Sequence, residues 1–174
     1  YPTSQKPPAH CKSVRLEGSW RPFPHFWRCG LTDKRVYIAN TGGTIGMRPG
    51  PDGYYNEVGF LRELLEALPE LQGSDMPNLV LHDYHPLLDS ANMSPSCWEM
   101  IAADIVSKHD DFDGFVVIHG TDTLTYTASA LSYLLEGLAK PVVLTGAQIP
   151  LCRVRSDGRP NLIDAILVAA HEPI

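Results

Sequence analysis

Val36-Tyr37-Ile38-Ala39-Asn40-Thr41-Gly42-Gly43-Thr44-Ile45-Gly46 and Phe115-Val116-Val117-Ile118-His119-Gly120-Thr121-Asp122-Thr123 are built alike: a short apolar run ends in a turn of glycine and threonine. The apolar half of each is brief and rich in β-branched and aromatic residues, as suits a strand buried on both faces. The glycine-bearing half breaks the strand and lets the backbone turn tightly. Open α/β sheets carry their binding loops in this position, beyond the carboxyl ends of the strands. Two such loops, one with Asp122 beside Thr121, point to hydroxyl-nucleophile chemistry on a small polar substrate.

Outward from these turns the chain alternates regularly. Residues 35–39 read as the first strand, and a Gly/Pro-rich loop runs on to about Asn56. Leu61, Leu64, Leu65 and Leu68 recur at i, i+3, i+4 and i+7, the stripe of an amphipathic helix that Pro69 ends. Residues 79–81 form a second strand, followed by a loop through Asp89-Ser90-Ala91-Asn92-Met93. Ser94 suits an N-cap and Pro95 the first helical position, with Met93 and Trp98 as a hydrophobic staple. That helix is expected to run through Ile101, Ile105 and Val106 to about His109. A solvated acidic turn with Asp110, Asp111 and Asp113 leads into the strand 115–118. The next helix puts Leu124, Ala128, Leu131, Leu135 and Leu138 on one side and ends between Gly137 and Lys140. Residues 141–144 make a fourth strand, and a last helix spans about 161–170. The order predicts an α/β fold: an open, mainly parallel, doubly wound sheet with right-handed crossovers. The third and fourth strands are expected to be buried on both faces, and the leucines and Trp98 to be core. Loops 40–56, 84–93, 119–123 and 145–160 then gather at one edge.

Composition narrows the partners. A chain of 174 residues, 44% hydrophobic and 20% charged, suits one soluble domain with a real core. Net charge is −6 and basic residues are scattered, which argues against nucleic-acid binding through a positive face. No apolar run approaches the ~20 residues that span a bilayer, and no signal-peptide core opens the chain. Cys11, Cys29, Cys97 and Cys152 form no C-x-x-C pair, so a cytoplasmic setting is expected. Residues 1–34 carry Pro2, Pro7, Pro8, Pro22 and Pro24 and read as an irregular leader. His10, Cys11, His25 and Cys29 match no closed zinc spacing, and His82-x-x-His85 sits at a strand end where loop or surface roles are expected. The first glycine loop lacks both G-x-G-x-x-G and G-K-[ST] spacing, so no cofactor is expected from it.

A threonine hydroxyl becomes a nucleophile when a base or relay takes its proton and backbone N–H groups stabilise the oxyanion. Gly42 and Gly43 leave Thr44 displayed for that role, and Asp122 offers a carboxylate to a substrate ammonium. Tyr54, further along the first loop, is placed to close over the site and touch the Thr44 hydroxyl. His119 reads as a packed, hydrogen-bonded turn residue, and Ser156 with Asp157 as a brace for the last helix.

Residues 36–47 resemble the first signature of the asparaginase/glutaminase family, and Val117-Ile118-His119-Gly120-Thr121-Asp122-Thr123-Leu124 with Tyr126-Thr127-Ala128 resembles the second. The likeness continues through residues 86–93, 140–148 and Arg155-Ser156-Asp157-Gly158, and is greatest to the cytoplasmic, type I bacterial-like L-asparaginases. The resemblance implies a partial N-terminal asparaginase domain over residues 35–174, acting on L-asparagine without metal or cofactor. It implies Thr44 as nucleophile, Tyr54 on a mobile flap, Thr121 as second catalytic group and Asp122 as anchor of the substrate amino group. Ser90, with the backbone from Asp89 to Ala91, would hold the substrate carboxylate. It also implies a homo-oligomer with no nucleic-acid or membrane partner. The family's catalytic lysine follows the last helix seen here and Lys140 does not replace it, so the 174-residue chain, also lacking the C-terminal domain, is expected to turn over little substrate. Two other readings are the ammonia-releasing subunit of a tRNA-dependent amidotransferase and a catalytically inactive interaction fragment. Preference for asparagine over glutamine, an allosteric site and the oligomeric state stay open at this level.

Overall fold

Strand β1 (Arg35–Asn40) organises the sheet, because it is paired on both sides by strands far from it in sequence. The computed structural model describes residues 31–171; the leader with His10, Cys11, His25 and Cys29 falls outside them up to residue 30. Next to β1 in parallel register run β4 (Asn78–Asp83), with Asn40 opposite Asp83, and β5 (Gly114–Ile118), with Asn40 opposite Ile118. β6 (Val142–Thr145) adds parallel to β5, giving the order β4-β1-β5-β6. The chain steps from β1 out to β4, returns past β1 to β5, and continues to β6. The direction of winding therefore reverses between β1 and β5, and the crevice beyond their carboxyl ends is where such sheets bind ligands.

Alternate residues of each central strand serve opposite layers, as the period of two requires. Val36, Ile38, Val116 and Ile118 face a core with Leu61 and Leu65 of α1 (Phe60–Glu66) and Leu162 and Ile166 of α4 (Gly158–Ala170). Tyr37, Ala39, Phe115 and Val117 face Ile101 and Ile105 of α2 (Pro95–Ser107) and Leu131 of α3 (Leu124–Leu134). That is the expected α/β sheet, mainly parallel and with helices on both faces. No described helix is long and apolar enough to cross a membrane.

Several details depart from expectation. The stretch read as a loop to Asn56 holds an antiparallel hairpin, β2 (Met47–Gly50) and β3 (Gly53–Asn56). Gly50 pairs with Gly53 across a Pro51-Asp52 corner, and Gly53 has the positive φ of 132° that the turn needs. Both hairpin faces are largely exposed, so no apolar alternation betrays it. α3 stops at Leu134, short of the expected 137–140, while Leu135 and Leu138 still pack on the core. α4 begins at Gly158, three residues before its expected start, with Pro160 in the first turn where its missing N–H leaves no bond unmade. β6, like β4, is an edge strand among the described residues, so Val142, Val143 and Leu144 are half-buried instead of enclosed on both faces.

Some side chains also differ from expectation. Ser94 does precede α2, but its hydroxyl meets Ser96 Oγ at 2.8 Å and Cys97 Sγ at 3.3 Å, capping no N–H. Leu134 is exposed and Trp98 is half-buried, so these two are not core. Asp113 is no free surface acid: it accepts the Arg35 N–H at 2.8 Å and the Lys34 ammonium at 3.3 Å, closing the start of β1 onto the turn before β5. Lys140 reaches the carbonyls of His109 and Phe112 in that same turn.

Gly114 opens β5 against the backbone of α4, and a Cβ there would run into the Ala169 carbonyl. Neither partner is a flexible side-chain tip, so Gly114→Ala should destabilise the fold by about 1–3 kcal/mol. The equilibrium denaturant midpoint measures it; an unshifted midpoint would show that the helix and strand give way freely.

Candidate active site

At the reversal point the loops after β1, β4 and β5 touch through their backbones. Gly43 has φ 99°, and a Cβ on it would lie 2.6 Å from the Gly120 nitrogen. Gly42 has φ 118°, and its Cβ would lie 2.6 Å from the Leu88 carbonyl oxygen. A Cβ on Gly120 would strike the Ser90 side chain. Hydrogen bonds lock the same contacts: Leu88 N–H donates to Thr41 O at 2.6 Å and Thr41 N–H to Ile118 O at 3.0 Å. Only glycine accepts both the positive φ and this separation at positions 42 and 43.

The hydroxyls gathered here differ in what they already do. Thr41 is buried and its Oγ1 donates to the Ile118 carbonyl at 2.8 Å, so it is a structural rivet. Thr44, directly after the two glycines, begins a short 3-10 turn (Thr44–Gly46) and is half-buried. Its hydroxyl has no hydrogen-bond partner among the described residues, and neither has that of half-buried Thr121. Buried Ser90 donates its hydroxyl to Asp122 Oδ2 at 3.2 Å, and Thr123 Oγ1 donates to the Ser90 carbonyl at 2.6 Å. Asp122 itself is exposed, leaving its second carboxylate oxygen toward solvent. Thr44, Ser90, Thr121 and Asp122 thus belong to one cluster of touching loops.

Asp89 and Ala91 are engaged with each other: Asp89 Oδ1 accepts the Ala91 N–H at 3.1 Å, and Oδ2 accepts Asn92 Nδ2 at 3.1 Å. Tyr54 lies on β3 opposite Pro49, 41% exposed, and its hydroxyl does not reach Thr44. The hairpin that carries it is tied at its roots. Leu151 N–H donates to Ile45 O at 3.0 Å on one side, and Gly59 N–H donates to Asp83 Oδ2 at 3.2 Å on the other. The brace expected at Ser156 and Asp157 is present: Asp157 accepts the N–H groups of Gln148 and Ile149, both at 2.9 Å, and Ser156 Oγ donates to Ile149 O at 2.7 Å. Those two N–H groups hold the Asp157 carboxyl below the usual carboxylate range. His82 lies against the rings of Tyr37 and Tyr84, 6.1 and 5.4 Å between centroids, and His85 is exposed.

His119 is fully buried under the second threonine loop, and its partners settle its tautomer. Nδ1 faces the Gly120 carbonyl at 2.7 Å, which only accepts, so Nδ1 carries the proton. Nε2 then accepts from the Thr127 hydroxyl at 2.9 Å, and that oxygen in turn receives the Trp98 indole N–H at 2.9 Å. Burial pushes the imidazole pKa below its ordinary value, with the Gly120 hydrogen bond opposing. The ring is a neutral strut from α2 and α3 to the loop that carries Thr121 and Asp122. Two residues to which sequence reasoning assigned no part in this frame complete it, Asn40 and Asp83, side by side at the ends of β1 and β4. A polar residue closing an otherwise apolar buried strand was the available signal for Asn40.

Neutral His119 makes stability depend on acid. In the unfolded chain the imidazole takes a proton as pH falls through about 6.5, whereas the folded one resists until lower pH. Stability present above pH 6.5 is therefore lost as pH falls toward the folded-state value. His119→Gln should flatten the fall in unfolding midpoint between pH 7.5 and pH 5.5; an identical pH dependence in both proteins would refute the buried neutral ring.

The sequence matches the family model described as "Asparaginase, N-terminal" over residues 35–174. It is 52% identical over 144 residues to L-asparaginase 1 of Escherichia coli strain K12, covering 83% of this chain and 43% of that one. The solved L-asparaginase I of Vibrio cholerae superposes with a TM-score of 0.75 at 48% identity, covering 79% of this chain and 41% of that one. More distantly, a glutamyl-tRNA(Gln) amidotransferase subunit of Methanopyrus kandleri is 42% identical over 139 residues, covering 77% of this chain and 30% of that one. The chain spans less than half the length of these relatives.

Proposed function

The chain belongs to the asparaginase family, and from that premise we propose that the protein hydrolyses the side-chain amide of L-asparagine to L-aspartate and ammonia, with Thr44 as its nucleophile. The observation that carries this reading is the division of labour among the hydroxyls at the β1–β5 crevice. Thr41 donates to a carbonyl, whereas Thr44 keeps its hydroxyl uncommitted beside two positive-φ glycines. Thr44 Oγ attacks the amide carbonyl and loses its proton, the C–N bond breaks, and ammonia leaves with a proton returned to it. Water then cleaves the threonyl ester to free aspartate. Thr121 serves the second half of that cycle. Asp122 accepts hydrogen bonds from the substrate ammonium, and Ser90, with the backbone from Asp89 to Ala91, holds the α-carboxylate. Tyr54 completes the site when the hairpin closes over bound substrate.

Identity of 52% to an L-asparaginase, against 42% to an amidotransferase subunit, favours free asparagine as substrate. The scattered basic residues and net charge of −6 favour it too, since a tRNA-bound reaction needs a positive face. The proposal includes a cytoplasmic homo-oligomer that works without metal or organic cofactor and without a membrane or nucleic-acid partner. Since the chain covers 43% of that relative, residues 1–174 alone are expected to turn over little, and the full-length gene product is the form to assay.

Coupled ammonia release from L-asparagine by that full-length product tests the reading. Thr44→Ala should lower kcat by about 10⁴-fold or more, and Thr121→Ala by about 10²–10⁴-fold. Undiminished turnover in Thr44→Ala would remove Thr44 from its role, and silence of the unmodified protein toward asparagine would overturn the assignment.

A further inference from the structure

Asn40 and Asp83 close β1 and β4 as register partners, and both are buried, 2% and 9% exposed. Three hydrogen bonds run through them. Asn40 Nδ2 donates to Asp83 Oδ1 at 2.7 Å, Asn40 Oδ1 accepts the Gly42 N–H at 3.1 Å, and Asp83 Oδ2 accepts the Gly59 N–H at 3.2 Å. Gly42 belongs to the turn that presents Thr44. Gly59, with φ 87°, is the residue from which α1 starts after the hairpin carrying Tyr54. A single carboxylate therefore holds the hairpin root with one oxygen and, through the Asn40 amide, the nucleophile turn with the other. Among the described residues, no other pair of hydrogen-bonded side chains bridges those two segments.

We infer that Asp83, acting through Asn40, is a positioning residue that keeps the Thr44 turn and the root of the Tyr54 hairpin in one register. This inference rests on the proposed amide hydrolysis for its catalytic consequence only. The two roots must stay fixed relative to each other if the hairpin is to bring Tyr54 onto Thr44, and a misplacement of about 1 Å costs up to about 10²-fold in rate. Each group in the bridge is used in a defined sense. The carboxylate only accepts, the amide nitrogen only donates, and the amide oxygen accepts. An amide in place of the Asp83 carboxylate cannot accept from both Asn40 and Gly59, because one of its two terminal atoms is now a donor. A carboxylate in place of the Asn40 amide cannot donate to Asp83. Exchanging the two side chains restores all three bonds. The amide now on β4 donates to the carboxylate now on β1 and accepts from Gly59, while that carboxylate accepts from Gly42.

The experiment compares the unmodified full-length protein with Asp83→Asn, Asn40→Asp and the exchanged double variant. Three quantities are read: kcat and KM for L-asparagine, the thermal midpoint, and amide hydrogen exchange in segments 40–46 and 57–62. Each single variant should lower kcat by about 10- to 10²-fold with a smaller change in KM. Asp83→Asn should also speed exchange in segment 40–46, none of whose N–H groups the Asp83 carboxylate touches. The double variant should recover most of kcat and of the protection. Single variants that shift only the thermal midpoint, or an exchanged pair that recovers neither rate nor protection, would overturn the inference. A protein that releases no ammonia from asparagine overturns the functional assignment, and the exchange measurements then decide the bridge by themselves.

Discussion

The backbone of the β1 loop lies against the backbone of the β5 loop with no side chain between them, and the remainder of the site follows from that contact. Gly43 and Gly120 have no Cβ, so two strand ends only one hydrogen-bonded spacing apart can send their loops across the sheet edge without splaying. Ser90, from the β4 loop, fills the space that a Cβ on Gly120 would occupy. Its hydroxyl thereby reaches Asp122. Larger residues at 43 or 120 would push the loops apart and separate Thr44 from Ser90, Thr121 and Asp122. The winding order explains why the contact forms here: β1 and β5 are the neighbours from which the chain departs in opposite directions.

Beneath this contact the support is buried and polar. Asn40, Thr41, Asp83, Ser90, His119, Thr127 and Thr145 are the buried polar residues of the described chain, and the first six brace the site loops from below. Each makes directed hydrogen bonds, which is what allows polar groups to lie in a core without a large desolvation penalty. The hairpin has the opposite character, with exposed tyrosines on both sides and its roots held by a few hydrogen bonds and the exposed Arg48–Glu57 ion pair. A rigid floor with a lightly held cover suits a site that must admit a small substrate and then exclude water. Asn56 Oδ1, at the hairpin's inner end, is a buried acceptor without a partner among the described residues.

The sheet was readable because its central strands are uniformly apolar and its turns are glycine-marked, and β1, β5 and their loops fall where the pattern placed them. The hairpin was not readable, since a strand exposed on both faces leaves no period of two. The apolar run of β6 could not disclose that its strand lies at an edge, because hydrophobicity reports neighbours only on average. Thr44 and Thr121 stand out through loop position and family likeness. What no pattern showed was that Thr41 is the rivet: two threonines three residues apart look equivalent until the Ile118 carbonyl is seen to claim one. The pairing of Asn40 with Asp83 escaped notice for a related reason. They are 43 residues apart, and their pairing exists only through the parallel register of β1 with β4.

The central claim is that the uncommitted hydroxyl at Thr44, and not its neighbour at Thr121, forms the covalent intermediate. Rapid acid quench of the full-length protein during turnover of L-asparagine, followed by peptide mass mapping, addresses it directly. A β-aspartyl ester on the peptide bearing Thr44, absent when asparagine is omitted, is the predicted result. An ester on the peptide bearing Thr121, or sustained turnover with no covalent species on either peptide, would contradict it.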